Sequence, residues 1–274
     1  MGYVSLCQDI NSGQEFAVKV IEKSFITSNS HLKHIRSEIK SMKIVDHIHC
    51  VKFYGVYEDE VGVLILMEYV QHGTLLSRLH KLKVFTESDV ARLARNLIDV
   101  LMHFNSLQII HRDLKLDNIL MSSSQNNFDI KVADFGISSC SNKPRSSICG
   151  TPGFIAPEAF KGEVYTGKFD VFSAGVIFYT LLIGKVPFPG KNTEIVLEKN
   201  KEVKIKFEKR HWKNISKTCW NFVQGLLNKD PNSRPSAEEA DLHMFIFNAN
   251  RSKGIDANQV MTESGLLKSE LEIS

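Results

Sequence analysis

The sequence predicts an α+β protein whose strands come first and whose helices follow. Val4 to Gln8, Glu15 to Ile21, Val51 to Tyr57 and Val63 to Tyr69 are β-rich runs bounded by turn residues. From Gly73 onward apolar residues recur at helical spacing instead, most clearly over Glu87 to Phe104. With 274 residues and 43% hydrophobic content, the chain is long enough for one large or two small cores.

In the first part, the opening two runs are joined by Asp9 to Gly13 (D-I-N-S-G), a turn-rich linker suited to a hairpin. A helix is expected over His31 to Val45. There Ile35, Ile39 and Met42 recur at i, i+4 and i+7, and Glu38 lies within the same stretch. The next two runs flank the charged turn Glu58 to Gly62 and complete a small antiparallel sheet.

The second part is mainly helical. Gly73 to Leu82 reads as a short helix. Glu87 to Phe104 is a long amphipathic one, with Thr86 as N-cap and Asp89 three residues on. Asn118 to Met121 and Ile130 to Val132 form a short hairpin around a polar loop. Lys168 to Ile183 is apolar nearly all round and reads as a buried helix. Further helices fall at Asn192 to Lys199, Ser216 to Leu227 and Ser236 to Phe247, and residues 248–274 read as a tail. The basic stretch Lys199 to Lys213 reads as a solvated face, with an acidic docking partner as the alternative.

Bulk charge excludes little and suggests no special partner. A formal net charge of +3 is too near balance to imply nucleic acid or an anionic membrane surface. Five cysteines without C-x-x-C spacing suit free thiols in a reducing compartment, so a cytoplasmic or nuclear location is expected. The most apolar stretches fall short of the roughly 20 residues that a membrane helix needs. A monomer is expected.

The chemistry lies in short motifs. His111 to Asn118 read H-R-D-L-K-L-D-N, Asp134 opens D-F-G, and Ala156 to Glu158 read A-P-E. Ahead of them stand A-V-K at Ala17 to Lys19 and M-E-Y-V at Met67 to Val70; G-T-P-G-F at Gly150 to Phe154 precedes A-P-E. Together these resemble the eukaryotic protein kinase family. Trp212 with Ile215, Leu226-Leu227, Arg234-Pro235 and Leu242-His243 resemble its calmodulin-dependent and calcium-dependent group. No EF-hand loop follows them.

The resemblance implies a bilobal fold over residues 1–247, with an N-lobe of residues 1–69 and a C-lobe of residues 70–247. It implies transfer of the ATP γ-phosphate, with Mg²⁺, to Ser/Thr hydroxyls of protein substrates. In that reading Asp113 orients the acceptor hydroxyl and takes its proton, and Lys115 neutralises the transferring phosphate. Asn118 and Asp134 hold Mg²⁺, while Lys19 contacts the α- and β-phosphates and pairs with Glu38. Val4, Ala17 and Leu120 sandwich the base, Gly2 matches the end of the glycine-rich loop over the phosphates, Met67 stands beside the base, and backbone groups of Glu68 and Val70 bond it. Thr151 bonds Asp113 and Lys115, Asp170 braces the catalytic loop, and Glu158 pairs with Arg234. Ser147 is the expected phosphosite of an upstream activating kinase, with Arg112 and His34 as partners for its phosphate.

The pattern is broken in two places. Of the family's glycine-rich loop only Gly2 and Val4 find a match; the first strand is absent, and the reading frame is expected to begin upstream of Met1. A kinase-shaped scaffold without turnover is therefore the alternative reading. Related kinases that favour Arg before the phosphosite carry acids at the positions of Thr74 and Thr180, and only Asp117 remains here. A substrate choice without strong basic preference is expected.

Overall fold

A computed structural model describes residues 2–135, 139–140, 149–162, 166–205, 212–213 and 215–251. Ser147 and the tail beyond residue 251 lie outside the described residues, as does the end of the basic stretch from residue 206 to 211.

Four strands, β1 (Tyr3–Gln8), β2 (Glu15–Glu22), β3 (Phe53–Glu58) and β4 (Gly62–Glu68), form one antiparallel sheet in the order β1-β2-β4-β3. The β1–β2 turn is set by Asp9, whose carboxylate accepts from the N–H groups of Asn11 and Ser12 and from the Ser12 hydroxyl. Gly13 closes it at φ +72°. Gly2 lies so close to β2 that a Cβ there would stand 2.3 Å from the Val20 carbonyl oxygen.

Helix α1 (Asn29–Ile44) starts two residues earlier than the apolar stripe suggested, because Ser28 caps it by accepting from the His31 N–H. After it, the turn at residues 46–52 docks on the helical part. Val51 N–H donates to Val132 O, and the Val132 N–H donates to His49 O. His47 supports the same turn: its Nδ1 accepts from the His49 N–H at 3.1 Å and its Nε2 lies 3.2 Å from Asp99. The His103 ring, 5.2 Å away, and His49 face it with like charge when protonated. Lys131 holds the Ile48 carbonyl beside them.

Burial, and the two neighbouring histidines, hold the His47 imidazole below its usual 6.5, against the pull of Asp99. The folded state therefore favours the neutral ring, while the unfolded ring takes up a proton below about 6.5. This contribution to stability is complete above that pH and fades as the pH falls through the depressed value. Melting temperature measured from pH 7.5 down to 5.5 should drop more steeply in the native protein than in His47→Gln; equal slopes would refute the linkage.

The helical part comprises α2 (Leu75–Leu82), α3 (Glu87–Ser106), α4 (Lys168–Ile183), α5 (Thr193–Glu202), α6 (Lys217–Leu226), α7 (Ala237–Asp241) and α8 (Met244–Arg251). Among the described residues no helix is long and apolar enough to cross a membrane. Two short ladders, β5 (Ile109–Ile110) with β8 (Ser139–Cys140) and β6 (Ile119–Met121) with β7 (Ile130–Val132), lie between α3 and α4 in the chain. The expected single helix over Ser236 to Phe247 is two. The chain leaves α7 at Leu242, and His243 Nδ1 then accepts from the Phe245 N–H, capping α8 with an imidazole instead of the usual hydroxyl or carboxylate.

Helix α4 is the centre of the core, buried along almost its whole length. Phe104, Phe169, Phe172, Phe178 and Phe222 fill the space around it. Gly175 lets α6 approach: a Cβ there would meet Leu226 Cβ at 2.9 Å and Leu227 Cγ at 3.1 Å. Gly175→Val should therefore destabilise by about 1–3 kcal/mol through overpacking. A thermal melt unchanged within a degree would show that the two helices can part without cost.

Candidate active site

The first constellation forms where the sheet meets α1. Strand register places Val4 opposite Lys19 and Leu6 opposite Ala17, and pairs Ala17 with Met67 and Lys19 with Ile65. In-register partners share a face, so these side chains line one side of the sheet. From that side Lys19 Nζ reaches Glu38 at 2.5 Å and Asp134 at 3.1 Å. Glu38 is 5% exposed on α1. Burial alone would push the Lys19 ammonium down, but the Glu38 and Asp134 carboxylates outweigh it and hold it above its ordinary value. Burial likewise keeps the Glu38 carboxyl above the usual range, against the attraction of Lys19.

Around the expected base position, Ala17 is buried, Met67 and Leu120 are half-buried, and Val4 is 62% exposed on the sheet edge. The Glu68 N–H donates to the Lys52 carbonyl, and its carboxylate accepts from the Lys52 N–H and meets Lys131. That commits the Glu68 N–H and narrows the expected backbone contact with the base. The Val70 N–H donates to nothing among the described residues.

The second constellation is the loop after β5. Asp170, 1% exposed on α4, accepts from the His111 N–H at 2.7 Å and the Arg112 N–H at 2.9 Å. Burial pushes its carboxyl above the ordinary range despite these bonds. The brace holds Arg112 at φ +70°, a conformation that a non-glycine residue adopts at a cost. Gly150 is required beside it, since a Cβ there would lie 2.7 Å from the Arg112 carbonyl oxygen. Arg112 Nη1 donates to Cys149 Sγ.

His111 is fully buried, stacked near Phe104 and tilted against Phe135. Its Nδ1 accepts from the Asp113 N–H, so the ring proton sits on Nε2, which donates to Ala133 O. Through this ring the loop at Asp113 is tied to the segment that leads into Asp134.

Asp113 is the most heavily bonded side chain of the loop. Oδ1 accepts from the Thr151 hydroxyl at 2.6 Å; Oδ2 accepts from Lys115 Nζ at 2.8 Å and from Asn118 Nδ2 at 3.2 Å. Lys115 also donates to the Thr151 hydroxyl oxygen at 2.9 Å. Asn118 Nδ2 further donates to the Asp113 carbonyl, which leaves its Oδ1 as the acceptor end. The Ala133 N–H donates to Asn118 O, placing β6 and the approach to Asp134 side by side. Asp134, at φ +63°, keeps a carboxylate that is 48% exposed.

Below the loop, Glu158 and Arg234 form a two-toothed ion pair at 2.7 and 2.9 Å, both essentially buried. His34 is exposed on α1, one turn before Glu38, and makes no hydrogen bond among the described residues. Thr74 and Thr180 are turned to internal use. Thr74 caps α2 by accepting from the Ser77 N–H, and the buried Thr180 hydroxyl donates to Val176 O.

One residue of this region is absent from the sequence reading. Asn200, fully buried in the last turn of α5, accepts from the Gly153 N–H at 3.0 Å and donates to Ile155 O at 2.6 Å. The segment between Thr151 and Glu158 is thereby fixed from a third side. A signal was present: Val196, Asn200 and Val203 fall at i, i+4 and i+7, so the one polar residue stands on the apolar stripe.

Comparison with known proteins agrees with this geometry. The protein kinase domain family matches residues 1–246. The chain is 30% identical over 255 residues to myosin light chain kinase A of Dictyostelium discoideum, covering 92% of this chain and 86% of that protein. It is 32% identical over 265 residues to calcium-dependent protein kinase 5 of Plasmodium berghei (strain Anka), covering 95% of this chain but 46% of that longer protein. With Asp113, Asn118 and Asp134 gathered at the end of its central loops and the match running through both parts of the fold, the chain belongs to the protein kinase domain family.

Proposed function

We propose that the chain transfers the γ-phosphoryl group of ATP, with Mg²⁺, to serine and threonine hydroxyls of protein substrates. The observation that carries this reading is Asp113: a carboxylate fixed by Thr151, Lys115 and Asn118, in a loop that His111 and Asn118 bond to Ala133, the residue before Asp134, whose carboxylate meets Lys19. An acceptor hydroxyl that replaces the Thr151 bond at Oδ1 would be oriented and relieved of its proton by Asp113. Lys115 then stands ready to offset charge on the phosphoryl oxygens.

The residues present fit the nucleotide and the ion. Asn118 Oδ1 and the half-exposed Asp134 carboxylate are hard oxygen donors. Mg²⁺ typically takes one or two protein ligands of this kind and fills the rest of its octahedron from phosphates and water. When bound, it would supply positive charge that offsets the charge of the phosphate oxygens. Lys19, held by Glu38, is placed to meet phosphate oxygens as a point charge. One relative is named for a light-chain substrate, which supports a polypeptide acceptor. We further read residues 1–247 as the catalytic domain, and Ser147 as its activating phosphosite.

Incubation with γ-labelled ATP, Mg²⁺ and a mixed basic protein substrate tests the reading, followed by phosphoamino-acid analysis. Label on serine or threonine, lost on chelation of Mg²⁺, is expected. Label on tyrosine alone would overturn the acceptor assignment, and nucleotide binding without transfer would favour a scaffold.

A further inference from the structure

Three histidines meet at the turn between α1 and β3. The His47 ring lies 5.2 Å from that of His103 on α3 and 5.8 Å from that of His49, centre to centre. Their bonds fix where the protons sit. His47 Nε2 faces Asp99 at 3.2 Å and carries the proton, so Nδ1 is the lone-pair nitrogen that accepts from the His49 N–H. His49 Nδ1 donates to Ile130 O. His103 Nε2 is buried and finds no partner among the described residues.

One more proton cannot be accommodated while the turn is closed. On His47 Nδ1 it would point at the His49 N–H, donor against donor; on His103 Nε2 it would make a buried N–H without an acceptor. The neighbouring charges do not relieve this. Asp99 is already used by Nε2, and Asp241 on α7 lies near Asp99 and Arg95. Lys131 on β7 adds positive charge while bound to Glu68 and Ile48 O, and Lys43 and Asp46 at the end of α1 are exposed.

The turn leads to the site in both directions. Val132, two residues before Asp134, donates to His49 O and accepts from the Val51 N–H. On the other side the turn continues α1, which carries Glu38. Glu38 and Asp134 are the two carboxylates on Lys19 Nζ.

We propose that His47 makes this turn a proton-operated joint: a proton on Nδ1 releases the turn from α3 and from the strand leading to Asp134, which loosens the Glu38–Lys19–Asp134 bridge, and nucleotide on that bridge holds the joint shut. The part concerning nucleotide rests on the phosphotransfer reading; the joint itself does not. Because the closed turn keeps the ring neutral and the open turn takes the proton below about 6.5, opening gains as the pH falls through that value.

Amide hydrogen exchange of the 274-residue protein at pH 7.5 and 5.5, corrected for the intrinsic pH dependence, tests this over fragments covering residues 47–51 and 130–133. Opening should rise about 10-fold at pH 5.5, the gain from one proton taken up one unit below its open-state pKa, with exchange in α4 unchanged. His47→Asn offers an oxygen to the His49 N–H, as in an Asx turn, without a titratable ring, and should show no such rise. Equal rises in native protein and His47→Asn, or a rise that α4 shares, overturn the joint. At pH 5.5, saturating ADP with Mg²⁺, its binding shown by thermal shift, should return joint exchange toward the pH 7.5 rate. Bound nucleotide without that slowing overturns the link to the bridge. Failure to bind nucleotide counts against the phosphotransfer reading, and the two exchange comparisons then decide the joint alone.

Discussion

Asp113→Asn is expected to reduce phosphotransfer by about 10²- to 10⁴-fold, the usual contribution of a positioned general base, while leaving the melting temperature within a few degrees of the native value. The amide keeps the size of the carboxylate and one oxygen, so the Thr151 bond at 2.6 Å can survive. Its NH₂ group, however, must turn toward Lys115 and Asn118, both donors to Oδ2, or toward Thr151. In either orientation no group remains that can accept the proton of an incoming hydroxyl. Nucleotide affinity should persist, because Lys19, Glu38 and Asp134 belong to a separate constellation. Single-turnover rate and nucleotide Kd measured side by side test this. More than about one part in a hundred of native rate in Asp113→Asn would sink the assignment of the base.

Most of the site was legible because its chemistry is local in the chain. Asp113, Lys115 and Asn118 fall within six residues, and the three of them plus Thr151 close on one another in space. The Lys19–Glu38 pair was expected from the family resemblance alone, since a lone lysine on a strand and a lone glutamate on the next helix read as surface charges; in the structure they meet at 2.5 Å. Contacts that join distant, ordinary residues were not legible. Asn200 stands on the apolar stripe of a lysine-rich helix, which marks it as a buried polar residue, but only its bonds to Gly153 and Ile155 reveal what it holds. His47, Asp99 and His103 carry no motif, because the turn after α1 and the middle of α3 meet only through the packing of the two parts. The break between α7 and α8 was missed for a local reason: apolar spacing continues across it, and a histidine as cap has no strong sequence signal. Strand and helix ends elsewhere moved by one to three residues where caps, not apolar stripes, decide them.

Truncation of Arg234 is expected to cost about 3–5 kcal/mol of folding stability, the range for breaking a buried ion pair from one side. Arg234 is fully buried, and three partners use its guanidinium: Glu158 through both Nη atoms, Lys168 O through Nη1 and Asn228 O through Nε. The ring of Phe172 lies 5.0 Å below it. Arg234→Met keeps an apolar filling over Phe172 but strands a buried carboxylate and two carbonyls. Arg234→Lys should recover only part of the loss, because an ammonium cannot present the planar fork that meets both Glu158 oxygens. Adding Glu158→Gln to Arg234→Met removes the stranded charge, so the double variant should be more stable than Arg234→Met alone. Urea denaturation of the three variants tests this. The same bond also anchors the segment that begins at Thr151, so Arg234→Met should lose affinity for polypeptide substrate before it loses affinity for nucleotide. A loss below about 1 kcal/mol in Arg234→Met, or a double variant less stable than the single, would mean that Glu158 finds water or another donor when its partner goes.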